Sequence, residues 1–257
     1  MSNQDLLLEI GLEEMPARFM HDSMTQLGEK LESWLKEKNI AFGSVKLYNS
    51  PRRLAVLVEN VAEKQDDVTE EAKGPAKKIA LDENGEWTKA AIGFSRGQGA
   101  SPEDLYFKDI KGTEYVFVQK FQKGQDTFSL LPELGDLVTS LHFPKNMRWG
   151  SEDLKYIRPI KWIVALFGSE VVPFSVAHVE TGRTTQGHRF LGKAADLSAP
   201  SEYEAALESQ FVIADPDKRK QLIVKQLDEL AAEKSWDIPR DEDLLDEVTH
   251  LLSLIHI

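Results

Sequence analysis

The 257-residue sequence contains no cysteine, which excludes a disulfide scaffold, a thiolate metal or iron–sulfur site and a thiol nucleophile, and fits a reducing compartment. It also contains no apolar run near the roughly 20 residues needed to cross a bilayer, so no membrane span or membrane partner is expected. MSNQDLLLEIG at the N-terminus has neither a basic n-region nor a small-residue cleavage site, so it does not read as a signal peptide. Positive charge is scarce as well: 31 Lys and Arg face 43 Asp and Glu, for a net charge of −12. That total argues against nucleic acid. What is present, 41% hydrophobic and 29% charged residues, suits a globular chain with one or two cores.

The charge is unevenly spread. Leu141 to Lys193 holds eight basic and four acidic residues, a net of +4, whereas Ala194 to Ile257 carries −9 and Met1 to Ser140 carries −7. A basic stretch that also holds Trp149, Tyr156 and Trp162 suits an RNA backbone with rings for stacking. The plainer reading of the same pattern is a strand-rich core segment whose alternate residues are solvated charges.

Hydrophobic period predicts a β-α-β-β unit first. Leu6–Ile10 is a short strand ended by Gly11, and Pro16 opens a helix whose apolar face runs from Met20 through Leu35. Val45–Tyr48 and Leu54–Val61 alternate as strands around Asn49-Ser50-Pro51. Glu63–Glu71 reads as a charged surface linker, Gly74-Pro75 as a turn, and Asp82–Gly85 as a tight turn. Thr88 caps a short helix, Ser101 starts a capping box, and Tyr106–Ile110 with Glu114–Phe121 forms a hairpin around Lys111-Gly112. Thr127–Leu141 reads as a helix; Ile163–Phe167 and Val171–Val176 read as strands. Asp215-Pro216 caps a helix with Leu222, Ile223, Leu227, Leu230 and Ala231 inward, and Leu244 begins another. The expected class is α+β, with mixed or antiparallel sheets and packed helices in the N-terminal part and a helical C-terminal segment. The expected partition is a unit over 1–62, an α+β segment over 63–195 with the basic region, and a mainly helical start of a further domain over 196–257.

No GxGxxG or GxxxxGK[ST] loop is present, so the three glycines 93, 97 and 99 form no phosphate cradle. The six histidines show no HxxxH or paired-HD spacing; His21-Asp22 lies in an amphipathic helix without further ligands in sequence, so no metal site is expected.

Seven short motifs in order carry a more specific signal: LLLEIGLEEMP (6–16), SPRRLAV (50–56), GPA (74–76), AIGFSRGQG (91–99), FPKNMRWG (143–150), RPIKW (158–162) and TQGHRF (185–190). Together they resemble the beta subunit of the bacterial tetrameric glycyl-tRNA synthetase over residues 6 to about 250. The resemblance implies a tRNA-binding or assembly role in glycine–tRNA ligase, in an α2β2 heterotetramer in the cytoplasm. Its partners would be the alpha subunit and tRNA(Gly). ATP with Mg would be used in the alpha subunit, with no cofactor and no catalytic residue in this chain; HIGH, KMSKS and class II motifs are absent. In that family the beta subunit continues well beyond this length, with HD-type and anticodon-binding regions, and past Leu251 with a pattern like VEYPTALLG. Here residues 252–257 read LSLIHI, so those residues are expected to be non-native, a truncated or out-of-frame end.

The candidate contacts to RNA phosphates or to the alpha subunit are Lys145, Arg148, Arg158, Lys161, Arg183, His188 and Arg189. Arg offers a planar fork to phosphate and Lys a mobile point charge. The competing structural reading pairs Arg148 and Arg158 with Glu152 or Asp153, makes Arg52-Arg53 a strand start, and makes Phe143, Trp149, Trp162 and Phe190 core anchors. Two other function classes stay open: a stand-alone RNA-binding or protein-interaction module without ligase activity, and a metabolic enzyme drawing on Glu13, Glu14 or His188.

Overall fold

The computed structural model describes residues 3–82 and 84–253. Glu83 of the expected 82–85 turn and residues 254–257 of the expected non-native end lie outside the described residues. The chain opens with β1 (Asn3–Leu12), α1 (Met20–Glu37), β2 (Val45–Ser50) and β3 (Arg53–Ala62). It continues through β4 (Val68–Ala76), α2 (Lys77–Ala80), α3 (Lys89–Gly97), β5 (Tyr106–Ile110) and β6 (Thr113–Gln122). After α4 (Thr127–Leu130) and α5 (Leu134–Thr139) come β7 (Ile160–Phe167), β8 (Glu170–Val171), β9 (Ser175–Val176), β10 (Val179–Gly182), β11 (Thr184–Gln186) and β12 (Ala194–Asp196). Three helices end the described chain: α6 (Tyr203–Ser209), α7 (Pro216–Lys234) and α8 (Glu242–Leu251). The class is α+β.

Two compact units arise, one from residues 1–65 with 126–257 and one from 66–125. The larger is built on a seven-stranded sheet in the order β2-β3-β1-β7-β10-β9, with β8 beside β7. Strand β1 lies at its centre, antiparallel to both β3 and β7. Its near-continuous run LLLEI follows from burial on both faces. Leu6, Leu8 and Ile10 pack with α1 residues Met20, Leu27 and Leu31 and with Leu134 and Val138 of α5. Leu7 points the other way, toward Trp162, Val164, Tyr203 and Leu207. Residues i and i+2 share a face of a strand, so Glu9 and Gly11 follow Leu7 onto that second face.

The smaller unit is a three-stranded sheet, β4-β6-β5, over which Ala80, Ala91, Leu105, Val116 and Val118 form the core. Here the expected linker over 63–71 and the turn at Gly74-Pro75 are corrected, because β4 covers Val68–Ala76. The strand is an edge strand whose exposed positions are Thr69 and the charged Glu70, Glu71 and Lys73, and a charged edge resists pairing with other chains while looking like a loop in sequence. Gly74 touches the Phe94 ring: a Cβ at Gly74 would sit 2.7 Å from it, so the GPA and AIGF motifs are two halves of one packing contact.

Two further expectations change. The helix expected over 127–141 is broken, with a 3-10 turn at Leu131–Glu133 between α4 and α5, because Pro132 has no N–H for the α-helical ladder. In α7 only Arg219 and Ile223 are buried; Leu222, Leu227, Leu230 and Ala231 are half-exposed.

Candidate nucleic-acid interface at one end of the central sheet

Four of the seven motifs meet at one end of the larger unit's sheet. Strand β1 delivers Glu9 and Gly11, and the residues just past it Glu13 and Glu14; the β2–β3 turn delivers Arg52 and the start of β3 Arg53; β7 and its approach deliver Arg158, Lys161 and Trp162; β11 and the following loop deliver Thr185, His188, Arg189 and Phe190. The arrangement has an interior and a rim.

Inside, Glu9 is 0% exposed and Arg53 is 2% exposed. Arg53 Nη1 lies 3.7 Å from Glu9 Oε2. Trp162 Nε1 donates to Glu9 Oε1 in a short contact. Thr185 Oγ1 sits 2.8 and 2.9 Å from the two Glu9 oxygens and accepts from Arg53 Nη1 at 3.2 Å. Arg53 Nε donates to Ser50 Oγ at 2.8 Å, and Nη2 donates to the Gln186 carbonyl. A buried charge is tolerated only when paired and hydrogen-bonded, and this set meets both demands. Tyr203 packs edge-on against Tyr48 with ring centroids 5.4 Å apart. Burial first, and then the Glu9 charge, pushes the ionisation of its phenol well above the ordinary range. Gly11 faces Trp162 across the β1–β7 pair, and any Cβ there would stand 2.0 Å from the indole. These contacts lock the ring.

Outside, Arg189 donates from Nη2 to Glu13 Oε2 at 3.0 Å and from Nη1 to Glu14 Oε1 at 3.2 Å. Lys161 Nζ lies 3.4 Å from the other Glu13 oxygen. Arg158 is spent on main chain, with Nε donating to the Glu14 carbonyl at 2.8 Å and Nη1 to that of Ile157 at 2.9 Å. His188 Nδ1 accepts from the N–H groups of Phe190 and Leu191, both at 3.3 Å, which leaves the proton of a neutral ring on Nε2. The loop is pinned from below, where Gly187 and Gly192 touch Gln210 so closely that a Cβ would come within 2.7 and 2.3 Å of it. Its tip is free: Phe190 is 84% exposed. The expectation that Phe190 is a core anchor is therefore corrected, since a tight loop turns its side chain out after the glycine has made the close approach. Phe143 and Trp162 are buried, and Trp149 is partly buried against the main core.

Arg52 stands apart from the other cations. Its guanidinium lies 5.5 Å from the Trp162 ring centroid, while its Nε is buried without a hydrogen-bond partner and no ion pair reaches the side chain among the described residues. Burial lowers its pKa, and the positive charge of Arg189 lowers it further. It lines a cavity of about 250 Å³ with Ser50, His188, Arg189 and Phe190, and with Glu14, whose carboxylate is held by Arg189.

The sequence-chosen residues divide accordingly. Arg158, Lys161, His188 and Arg189 come together here. Arg183 does not; its Nη1 and Nη2 donate to the carbonyls of Leu197 and Ser169 at 3.2 and 3.1 Å. Lys145 and Arg148 lie in an exposed irregular segment and have no hydrogen bond or ion pair among the described residues. The expected pairing of Arg148 or Arg158 with Glu152 or Asp153 is not seen, because Glu152 faces His178 Nε2 at 3.2 Å and Arg158 has turned to carbonyls. Arg52, Glu13, Glu14 and Phe190 were not among the chosen contacts. A signal existed for Arg52: of two adjacent arginines at the junction of a turn and a strand, the second follows the strand inward and the first is left at the turn. Among the described residues no group of three metal-ligating side chains comes together. No described helix is long and apolar enough to cross a membrane.

The family described as glycyl-tRNA synthetase beta subunit matches residues 6–254. The chain is 72% identical to the glycine–tRNA ligase beta subunit of Bacillus subtilis over 252 residues, 98% of this chain and 37% of that protein. It is 58% identical to that of Halalkalibacterium halodurans over 252 residues, 98% of this chain and 36% of that protein. With that of a Listeria monocytogenes strain the identity is 54% over 250 residues, 97% of this chain and 36% of the relative. The chain thus spans a little over a third of the length of these relatives. With the match spanning nearly the whole chain and all seven motifs, the chain belongs to the glycyl-tRNA synthetase beta subunit family.

Proposed function

We propose that this chain supplies tRNA binding and subunit assembly to a glycine–tRNA ligase, supporting the ATP-dependent attachment of glycine to tRNA(Gly) in the cytoplasm. Activation of glycine with ATP and Mg is assigned to the alpha subunit, with no catalytic residue here. The observation that supports the reading best is the convergence of four family motifs on one cationic end of the sheet. Five cations, Arg52, Arg53, Arg158, Lys161 and Arg189, gather there with three carboxylates, Glu9, Glu13 and Glu14, among the described residues, for a local excess of two positive charges within a chain of net −12. Such an excess attracts a polyanion and releases its counterions. Lys145 and Arg148, exposed and without an ion pair among the described residues, are further cations of the same unit.

The test is reconstitution with the alpha subunit. Arg148→Ala and Arg189→Ala should each flatten the slope of log tRNA affinity against log salt by roughly 0.7–0.9 while glycine-dependent ATP–pyrophosphate exchange persists. An unchanged slope with an intact assembly would reject the RNA role, and loss of assembly with loss of exchange would assign the arginines to the subunit contact. The chain without alpha subunit should show no exchange above background.

A further inference from the structure

We propose that the end of the sheet holds a binding site for one unpaired RNA nucleotide, with Arg52 taking the phosphate in the cavity and Phe190 stacking the base at its rim; this deepens the RNA-binding reading and rests on it. Three observations meet there. Arg52 is half-buried over Trp162; its Nε is buried without a hydrogen-bond partner, and no ion pair reaches the side chain among the described residues, although the charges of Glu13 and Glu14 act on it from a distance. A buried donor left unmade is unfavourable, so an incoming anion gains more there than at any solvated lysine. The cavity it lines, about 250 Å³, has the scale of a ribose phosphate rather than of a whole domain contact. At its mouth stands Phe190, 84% exposed and 6.3 Å from the His188 ring.

A large exposed ring on a loop braced by two glycines is preorganised for stacking, because the loop need not order when the partner arrives. Arg189 lines the same cavity. Its ion pairs with Glu13 and Glu14 are solvent-exposed and weak, so it can share a phosphate without much loss. The geometry also selects among partners. A flat apolar protein surface would cover Phe190 and leave Arg52 buried and unpaired. A carboxylate peptide would satisfy Arg52 but not the ring. A nucleotide places an anion and a π-face within one residue, and an unstacked base is needed because a base within a duplex has no free face.

The experiment measures binding of an end-labelled single-stranded RNA hexamer to the 257-residue chain by fluorescence anisotropy across salt, with the same hexamer in a duplex as comparison. Phe190→Ala should weaken the single strand roughly five- to hundred-fold without altering the salt slope, and Phe190→Trp should restore binding. Arg52→Ala should flatten the slope by about 0.7, and Arg52→Lys should keep it. Circular dichroism on each variant separates lost binding from lost fold; Phe190 is exposed enough that its replacement leaves the fold intact. Unchanged affinity in Phe190→Ala, an unchanged slope in folded Arg52→Ala, or no hexamer binding by the unaltered chain would overturn the site. If the assembled enzyme with Phe190→Ala still binds tRNA normally, the subunit reading stands and the nucleotide site alone falls. If the assembled enzyme binds no tRNA at all, both fall. Dissociation from the alpha subunit in Phe190→Ala, with hexamer affinity unchanged, would make the loop a protein contact and overturn the proposal.

Discussion

Two Arg–Glu sets occupy the same end of the central sheet within one run of motifs, and they have different jobs. Arg53 and Glu9 are sealed from solvent and tied to Trp162, Thr185 and Ser50. Arg189 with Glu13 and Glu14 forms a comparable ion pair in the open. Burial decides which contributes to the fold. In a low-dielectric interior the loss of one partner strands the other, whereas at the rim water replaces whatever is lost. Motif membership therefore does not identify a functional residue. Position along the chain sorts them: Glu9 and Gly11 lie inside β1 and face the helix α6 side as structure, while Glu13 and Glu14 follow its end at Leu12 and reach the surface.

The sharpest way to break the contrast is to remove one interior partner. Arg53→Ala should destabilise the chain by about 3–5 kcal/mol, because Glu9 would be left charged and buried. Urea unfolding would show it as a lower midpoint, and a loss under 1 kcal/mol would mean that Glu9 is held well enough by Trp162 and Thr185 alone. Gly11→Ala comes next, at about 1–3 kcal/mol, since the new methyl must displace the Trp162 ring. An unshifted Trp162 indole N–H resonance in that variant, assigned by NMR among the five tryptophans, would count against the locked ring.

The elements were largely readable from the sequence, and their meeting in space was not. The period of α1, the alternation of β2 and β3 and the Lys111-Gly112 hairpin follow from local chemistry, with both turn residues in the left-handed region at φ 55° and 82°. By contrast β4 was hidden, since an edge strand with Glu70 and Glu71 facing water has the composition of a linker. The site suffered more. Trp162 Nε1 reaches Glu9 across 153 residues, and Arg189 reaches Glu13 across 176, so no local pattern carries either contact. Charge alone cannot distinguish Arg183, anchored on two carbonyls, from Arg52, anchored on none among the described residues. Phe190 was assigned to the core because of its apolar neighbour Leu191, yet that neighbour is exposed as well.

Alkaline titration sharpens the interior half of the comparison with a smaller effect. The folded-state pKa of Tyr203 is raised, so the folded chain keeps a proton that the unfolded chain gives up near the ordinary value of 10.0. Its contribution is thus fully present below pH 10 and is lost as the pH rises above it. Tyr203→Phe should flatten the fall in stability above pH 10 and leave the neutral-pH value close to that of the unaltered chain. An equally steep fall in the variant would place the alkaline sensitivity elsewhere.

The smallest expected effect is at the rim. Arg189→Ala removes two exposed ion pairs, so its cost in stability should be about 0.2–1 kcal/mol at low salt. Screening shortens the reach of such charges to about 3 Å at 1 M salt, so even that cost should fade there. Arg53→Ala should keep its full penalty in the same buffer, because salt does not enter the interior. Paired unfolding curves at low and high salt therefore separate the two arginines by one criterion. Should Arg189→Ala be as costly as Arg53→Ala and equally insensitive to salt, the loop would belong to the fold. Its arginine would then be held too firmly to be shared with a phosphate. A small, salt-erased cost leaves Arg189 as a cation held in place by two carboxylates and available to a third anion.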